Sequence, residues 1–187
     1  MWQLMPIIEQ LEMMHPLWGL LWSALESFLP ILPLTAIVAF NVYAHGFWLG
    51  YLVSFLGTIG GSTLLFLSIR KLFRARFSSK MGAHPKWVSM REKMQAKGFT
   101  PIFLLYCFPF TPSFFVSTAA AVAEVPTIKF LVALVSGKLV MIYILSTIGF
   151  HIQDLLANPG RSIIILVAIV VIWVLLEKVV KIDERIG

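Results

Sequence analysis

The sequence predicts an all-α polytopic membrane protein, an inverted repeat of a re-entrant broken-helix hairpin plus a transmembrane helix, with an extra C-terminal transmembrane helix. Three observations predict it. The chain is 59% hydrophobic and only 13% charged over 187 residues, where soluble domains carry roughly 45–50% and about 25%. Its apolar residues run in long stretches without period-two alternation, which excludes a β-barrel. The third is a Pro-x-x-Pro interruption that occurs twice inside apolar runs, as Pro30 with Pro33 and Pro109 with Pro112. A mean hydropathy of +0.88 excludes a water-soluble enzyme, a disordered chain and an ordinary nucleic-acid-binding domain. The length suits a single membrane domain, residues 1–187.

Residues 1–25 are expected to form an interfacial N-terminal helix on the outer surface. Ile8, Leu11, Trp18, Leu21, Trp22 and Leu25 fall near helical spacing, with Glu9 and Glu12 elsewhere, while Pro16 and the acids argue against a full span. No basic residue precedes Arg70, so a cleaved signal peptide is not expected. Repeat 1 covers 26–69. Its first part carries Pro30 and Pro33, and two prolines in one turn break a helix rather than bend it. Backbone freed in this way is tolerated at membrane depth only against protein or water. A re-entrant hairpin is therefore preferred, with a kinked spanning helix as the alternative. Its second part, 47–69, is long enough to span, since about 20 residues at about 1.5 Å each cross the hydrocarbon.

Residues 70–100 form a basic loop. Nine of the fifteen Lys and Arg residues lie between Arg70 and Lys97, with Glu92 the one acid among them, so that window carries +8 and the rest of the chain −2. Such loops stay cytoplasmic. Within it, 84–97 sets Trp87, Met90 and Met94 on one side and basic residues largely on the other, as a short helix on the inner leaflet would.

Repeat 2 covers 101–150, a broken run carrying Pro109 and Pro112 followed by a span over 128–150. A last helix over 162–177 leads into Lys178, Lys181 and Arg185. If 101–123 dips in and returns, those three basic residues end in the cytoplasm; if it spans, they end outside, against the charge rule. The two Pro-x-x-Pro elements are 79 residues apart, and Gly57 and Gly137 follow them by 24 and 25 residues in the next apolar helix. With the basic loop between them, the two units are expected to have inverted topology, an arrangement that puts substrate near the midplane. The alternative is two Pro-rich helices that happen to be alike.

Lys138 is the sharpest candidate for chemistry. A lysine near the centre of a spanning helix costs on the order of 3 kcal/mol, so it should face a cavity or an acid, and beside a broken hairpin it could hold a phosphate. Glu26 lies at the mouth of the first hairpin and Glu124 closes the second; either could take and release a proton if poorly hydrated. Gly46, Gly50, Ser54, Gly57 and Gly61 form a small-residue track, which means close helix packing, here expected against the second unit. Arg70, at the inner boundary, is a headgroup contact or a topology signal. One cysteine, Cys107, excludes an intrachain disulfide and a thiolate zinc site. Phosphate-loop, zincin and EF-hand patterns are absent, so neither an enzyme, a cofactor nor a bound metal is expected.

Taken together, Glu26-Ser-Phe-Leu-Pro30-Ile-Leu-Pro33, the run from Gly57 to Arg70, Phe108-Pro109-Phe110-Thr111-Pro112 and the Gly137-Lys138 helix resemble the DedA/VTT superfamily, in its SNARE-associated-Golgi-type bacterial branch. The likeness covers roughly 20–177. It implies two opposed re-entrant hairpins, and lipid translocation: phospholipid scrambling or undecaprenyl-phosphate flipping, with a link to protons. Glu26, Pro30, Pro33, Arg70, Pro109, Pro112 and Gly137 fall on the family pattern. Two positions depart from it: many members have an Arg shortly before the second Pro-x-x-Pro, where this chain has Tyr106, Cys107 and Phe108, and Ser117 replaces a usual Asn. Lys138 is the candidate to stand in for that Arg. The expected function is a lipid translocase of the plasma membrane whose partners are phosphate-bearing lipids and not nucleic acid. A small-solute or ion transporter and a structural membrane protein are the alternatives.

Overall fold

The computed structural model describes residues 15–76, 92 and 98–151. The expected span at 162–177 lies outside the described residues, as do residues 1–14 and, but for residue 92, the expected surface helix at 84–97. Among the described residues all regular structure is helical, and two helices are long and apolar enough to cross a membrane, Leu34–Leu72 and Thr127–Phe150.

Helix α1 (Pro16–Glu26) starts on a proline, whose missing N–H is no loss in a first turn. It turns Leu17, Trp18, Leu21, Trp22 and Leu25 outward and buries Gly19, Ser23 and Glu26. That is the reverse of a soluble helix and suits a helix packed on protein by its small face and bathed in lipid on the other. Pro30 and Pro33 interrupt the chain before α2 (Leu34–Arg76) begins. Helix α2 is itself two arms, because Gly46 has φ 75° and ψ 170°, outside helical geometry. The first arm, 34–45, folds back on the second, 47–76: a Cβ on Gly50 would stand 2.5 Å from the backbone oxygen of Asn41. Only glycine suits both the positive φ at 46 and the close approach at 50.

The second half has the same order of elements. Helix α3 (Phe99–Cys107) stops before Pro109 and Pro112, α4 (Ser113–Val122) follows, the chain turns at Glu124 with φ 53°, and α5 (Thr127–Phe150) runs on. Ile31, between the first pair of prolines, is 91% exposed, and Phe110, between the second, 76%.

Contacts fix how the helices run. Gly57 meets Leu20 and Ser23, and Gly61 meets Ala24, so α1 runs parallel to the second arm of α2. Gly137 likewise meets Phe103 and Tyr106 of α3. The two long helices are antiparallel. Phe47 packs on Phe150 (5.9 Å), Tyr51 on Tyr143 (6.3 Å) and Phe66 on Phe130 (3.9 Å), while Arg70 reaches Thr127 (3.2 Å). The small-residue track therefore packs on the first arm of α2 and on α1, which lies ahead of repeat 1 as bounded above and is packed on α2 by its small face, and not against the second unit as expected. The reversal at Gly46 brings those partners back along the same helix.

Two apolar cores result. One joins Phe66, Ile102, Val116, Ala120, Phe130 and Leu134, and the other Leu34, Val38, Val42, Met141, Ile142 and Leu145. Along the long helices they leave a middle zone around Thr58, Ser62 and Lys138, all buried.

Candidate functional site

That middle zone is polar. Lys138 lies halfway along α5 and is 1% exposed. Its Nζ donates to Ser113 Oγ at 2.6 Å and lies 5.6 Å from the centre of the Tyr106 ring, a cation–π distance. An ammonium has three N–H donors, so Ser113 takes one of them. Ser113 is the first residue of α4, and its N-cap residue, Pro112, supplies no side-chain bond to the unpaired N–H groups of that end. Glu26 does this from the other unit: Ser113 N–H donates to Glu26 Oε1 at 3.4 Å. A carboxylate at a helix N-terminus is favoured by the helix dipole. Glu26 is 3% exposed, and its second oxygen, Oε2, is buried with no hydrogen-bond partner among the described residues.

Around this trio the hydroxyls are paired. Tyr106 and Ser117 share a 2.7 Å bond, with Ser62 beside the same phenol. Ser27 and Ser62 are 3.0 Å apart. Ahead of the second proline pair the chain thus presents a phenol pinned to Ser117, with Lys138 as the cation beside it.

Of the expected residues, Glu26 and Lys138 come together, joined through Ser113. Pro30, Pro33, Pro109 and Pro112 interrupt the helices so that Glu26 and Ser113 fall at helix termini facing one another. Gly137 admits α3: a Cβ there would stand 2.7 Å from Tyr106 Cβ. Gly50, Gly57 and Gly61 pack the first unit. Arg70 and Glu124 are elsewhere. Arg70 donates to the Val125 carbonyl at 2.7 Å and to Thr127 Oγ1, tying α2 to the start of α5, and Glu124 closes α4 at the end far from Ser113. Sequence reasoning passed over Ser113, Ser62 and Asn41. The available signal was a polar side chain in an apolar run immediately after a helix-breaking proline (Ser113), or at helical spacing from Thr58 (Ser62). Among the described residues, no group of three or more His, Cys, Asp or Glu could hold a metal.

Comparison with known proteins finds relatives among membrane proteins. The VTT domain family profile matches residues 30–151. The chain is similar to the membrane protein YhjE of Bacillus subtilis strain 168, 38% identical over 88% of this chain and 79% of that one. It is similar also to YqeD of the same organism, 26% identical over 92% and 84%. A shorter match, 31% identical over 52% of this chain and 33% of the other, is to the Golgi apparatus membrane protein TVP38 of Coprinopsis cinerea. No solved structure matches the chain.

Proposed function

We propose a lipid-translocating role from one premise: the chain belongs to the VTT domain family of membrane proteins. The observation that carries the reading is a buried ammonium, Lys138, halfway along a membrane-length helix and held by a single hydroxyl. A charge at that depth is costly and marks a functional site by default. Two unused N–H donors and the N-terminus of α4 are the chemistry that recognises a phosphate.

The fold is read as two opposed re-entrant hairpins in an inverted repeat. Three observations support this: each Pro-x-x-Pro separates two short helices, each pair leads through a positive-φ residue into a long helix, and the long helices run antiparallel. The first hairpin then enters from the end marked by Gly46 and Phe150, and the second from the end marked by Arg70 and Thr127. With α1 as its first half, the first hairpin has Glu26 at its tip and not at its mouth as expected, and the two tips meet at Glu26 and Ser113. With the basic stretch 70–100 cytoplasmic, the second hairpin enters from the cytoplasmic face of the plasma membrane. A lipid phosphate would cross by way of Lys138 while its acyl chains stay in the bilayer.

Charge balance gives Glu26 its part. The cluster holds one cation and one carboxylate. A monoanionic phosphate would leave a net negative charge in a poorly hydrated place, which a proton taken up with the headgroup would remove.

The test uses purified protein in vesicles, with labelled phospholipid and undecaprenyl phosphate, with and without a pH gradient. Lys138→Met keeps the stem and removes the charge, and headgroup movement is expected to be lost. Full activity in that variant overturns the reading. Uptake of a water-soluble solute without lipid movement would replace it by a solute transporter.

A further inference from the structure

We infer that Tyr106 is a positioning residue for the proposed headgroup site: its ring holds the Lys138 ammonium away from Glu26 and so leaves that cation free to meet a phosphate. This inference rests on the lipid-translocating reading. It starts from a contact that is not made. Glu26 Oε1 accepts from Ser113 N–H while Lys138 Nζ donates to Ser113 Oγ, so a carboxylate and an ammonium share one serine. Both side chains are buried, and Glu26 Oε2 has no partner among the described residues. Yet among those residues no direct ion pair joins the two. A lysine ammonium rides on a flexible stem, and a buried charge without a counter-charge is costly. A restraint on the ammonium is therefore needed to keep the pair apart.

Tyr106 supplies it. Lys138 Nζ lies over the Tyr106 ring, 5.6 Å from its centre. The negative face of an aromatic ring attracts a cation electrostatically. A carboxylate in the same place would take up the N–H donors and cancel the charge; the ring does neither, and the cation stays available to an anion. The ring is itself fixed along its length. Its hydroxyl shares a 2.7 Å bond with Ser117, and its edge-to-face partner is Phe130, at 6.2 Å and 68°. At its root, a Cβ added to Gly137 would stand 2.7 Å from Tyr106 Cβ. Gly137 immediately precedes Lys138, so the missing side chain there is what lets α3 carry the ring up to the lysine. Because the hydroxyl is bonded to Ser117, Tyr106 acts through Lys138 and not on the headgroup itself.

The test replaces Tyr106 by phenylalanine carrying no, one, two or three ring fluorines. Each fluorine draws charge from the ring face while leaving its shape nearly unchanged. The full-length protein is assayed in vesicles of a phosphate-free glycolipid doped with rising fractions of labelled phosphatidylglycerol. The fraction giving half-maximal movement is expected to rise step by step, on the order of tenfold across the series. The maximal rate and the detergent unfolding midpoint should stay at the values of Tyr106→Phe. A flat or falling series overturns the inference, as does a rise that merely tracks a falling midpoint. So does a folded Tyr106→Phe protein that no longer moves lipid, since the phenol and not the ring would then be what matters. Failure of the broader reading looks different: Lys138→Met would then move lipid at full rate whatever the ring carries.

Discussion

Two glycines three residues apart on one helix give opposite expectations on substitution by alanine. Both Gly57 and Gly60 lie inside the second arm of α2, so alanine should favour the helix by about 1 kcal/mol at either position. At Gly60 nothing lies within 4 Å of an added Cβ, so the gain stands. At Gly57 the Cβ would lie 2.5 Å from the backbone oxygen of Leu20 and 2.7 Å from Ser23 Cβ. Non-bonded carbons rest at about 3.5–4.0 Å, so α1 would have to withdraw by ~0.8 Å or more, and a backbone oxygen cannot rotate aside. Overpacking of this kind costs about 1–3 kcal/mol, which leaves Gly57→Ala neutral to ~2 kcal/mol less stable than the parent and always below Gly60→Ala. The assay is thermal unfolding in detergent, where each kcal/mol moves the midpoint by about 2–4 °C at this size. Because α1 carries Glu26, Gly57→Ala should also lower translocation. If both variants were stabilised equally, α1 would not lie on this helix and Glu26 would not reach Ser113.

Ser113→Ala removes both the acceptor for Lys138 and a polar wall of the cluster; a loss of about 1–3 kcal/mol in detergent unfolding is expected, with slowed lipid movement. Tyr106→Phe deletes the bond to Ser117 and should cost about 1 kcal/mol by the same measurement. Arg70→Ala removes a charged donor from the Val125 carbonyl, so stability should fall by about 1.5–3 kcal/mol while the ranking of lipid substrates, set elsewhere, is unchanged. In a Cys107→Ser background, a cysteine replacing Glu124 should react with an impermeant thiol reagent from the cytoplasmic side and one replacing His45 from the outside; the reverse pattern refutes the orientation.

Much of this arrangement was legible in the chain because its strongest local signals are backbone signals. Proline acts on its own helix whatever surrounds it, so the breaks at Pro30, Pro33, Pro109 and Pro112 could be read directly. Lys138 was legible for a similar reason: a charge in an apolar run has few tolerable environments. The partner of the small-residue track was not, since Gly57 and Gly61 announce that some helix comes close without saying which one. That answer depends on the reversal at Gly46, a single φ of 75° that no spacing rule reveals. Ser113 was missed because a serine after a proline is ordinarily a helix start and nothing more. Its importance comes from two residues, 25 positions ahead and 87 behind, that meet it in space.

Those two separations also explain why the cluster takes both halves of the molecule. Glu26 belongs to the first hairpin, whereas Ser113 and Lys138 belong to the second unit. Without Glu26 the N-terminus of α4 has no side-chain partner at its first N–H, and Lys138 sits in the interior with one hydroxyl and no counter-charge. Without the second unit, Glu26 is a carboxylate buried against Ser27 and apolar walls. Each half alone would leave a charge unbalanced at the depth where that is most costly. The assembled pair still leaves Glu26 Oε2 and two Lys138 donors unused. A purely structural ion pair would be expected to close on itself and satisfy both partners. Instead a serine stands between cation and carboxylate, so a third charged group can enter without first pulling a direct salt bridge apart.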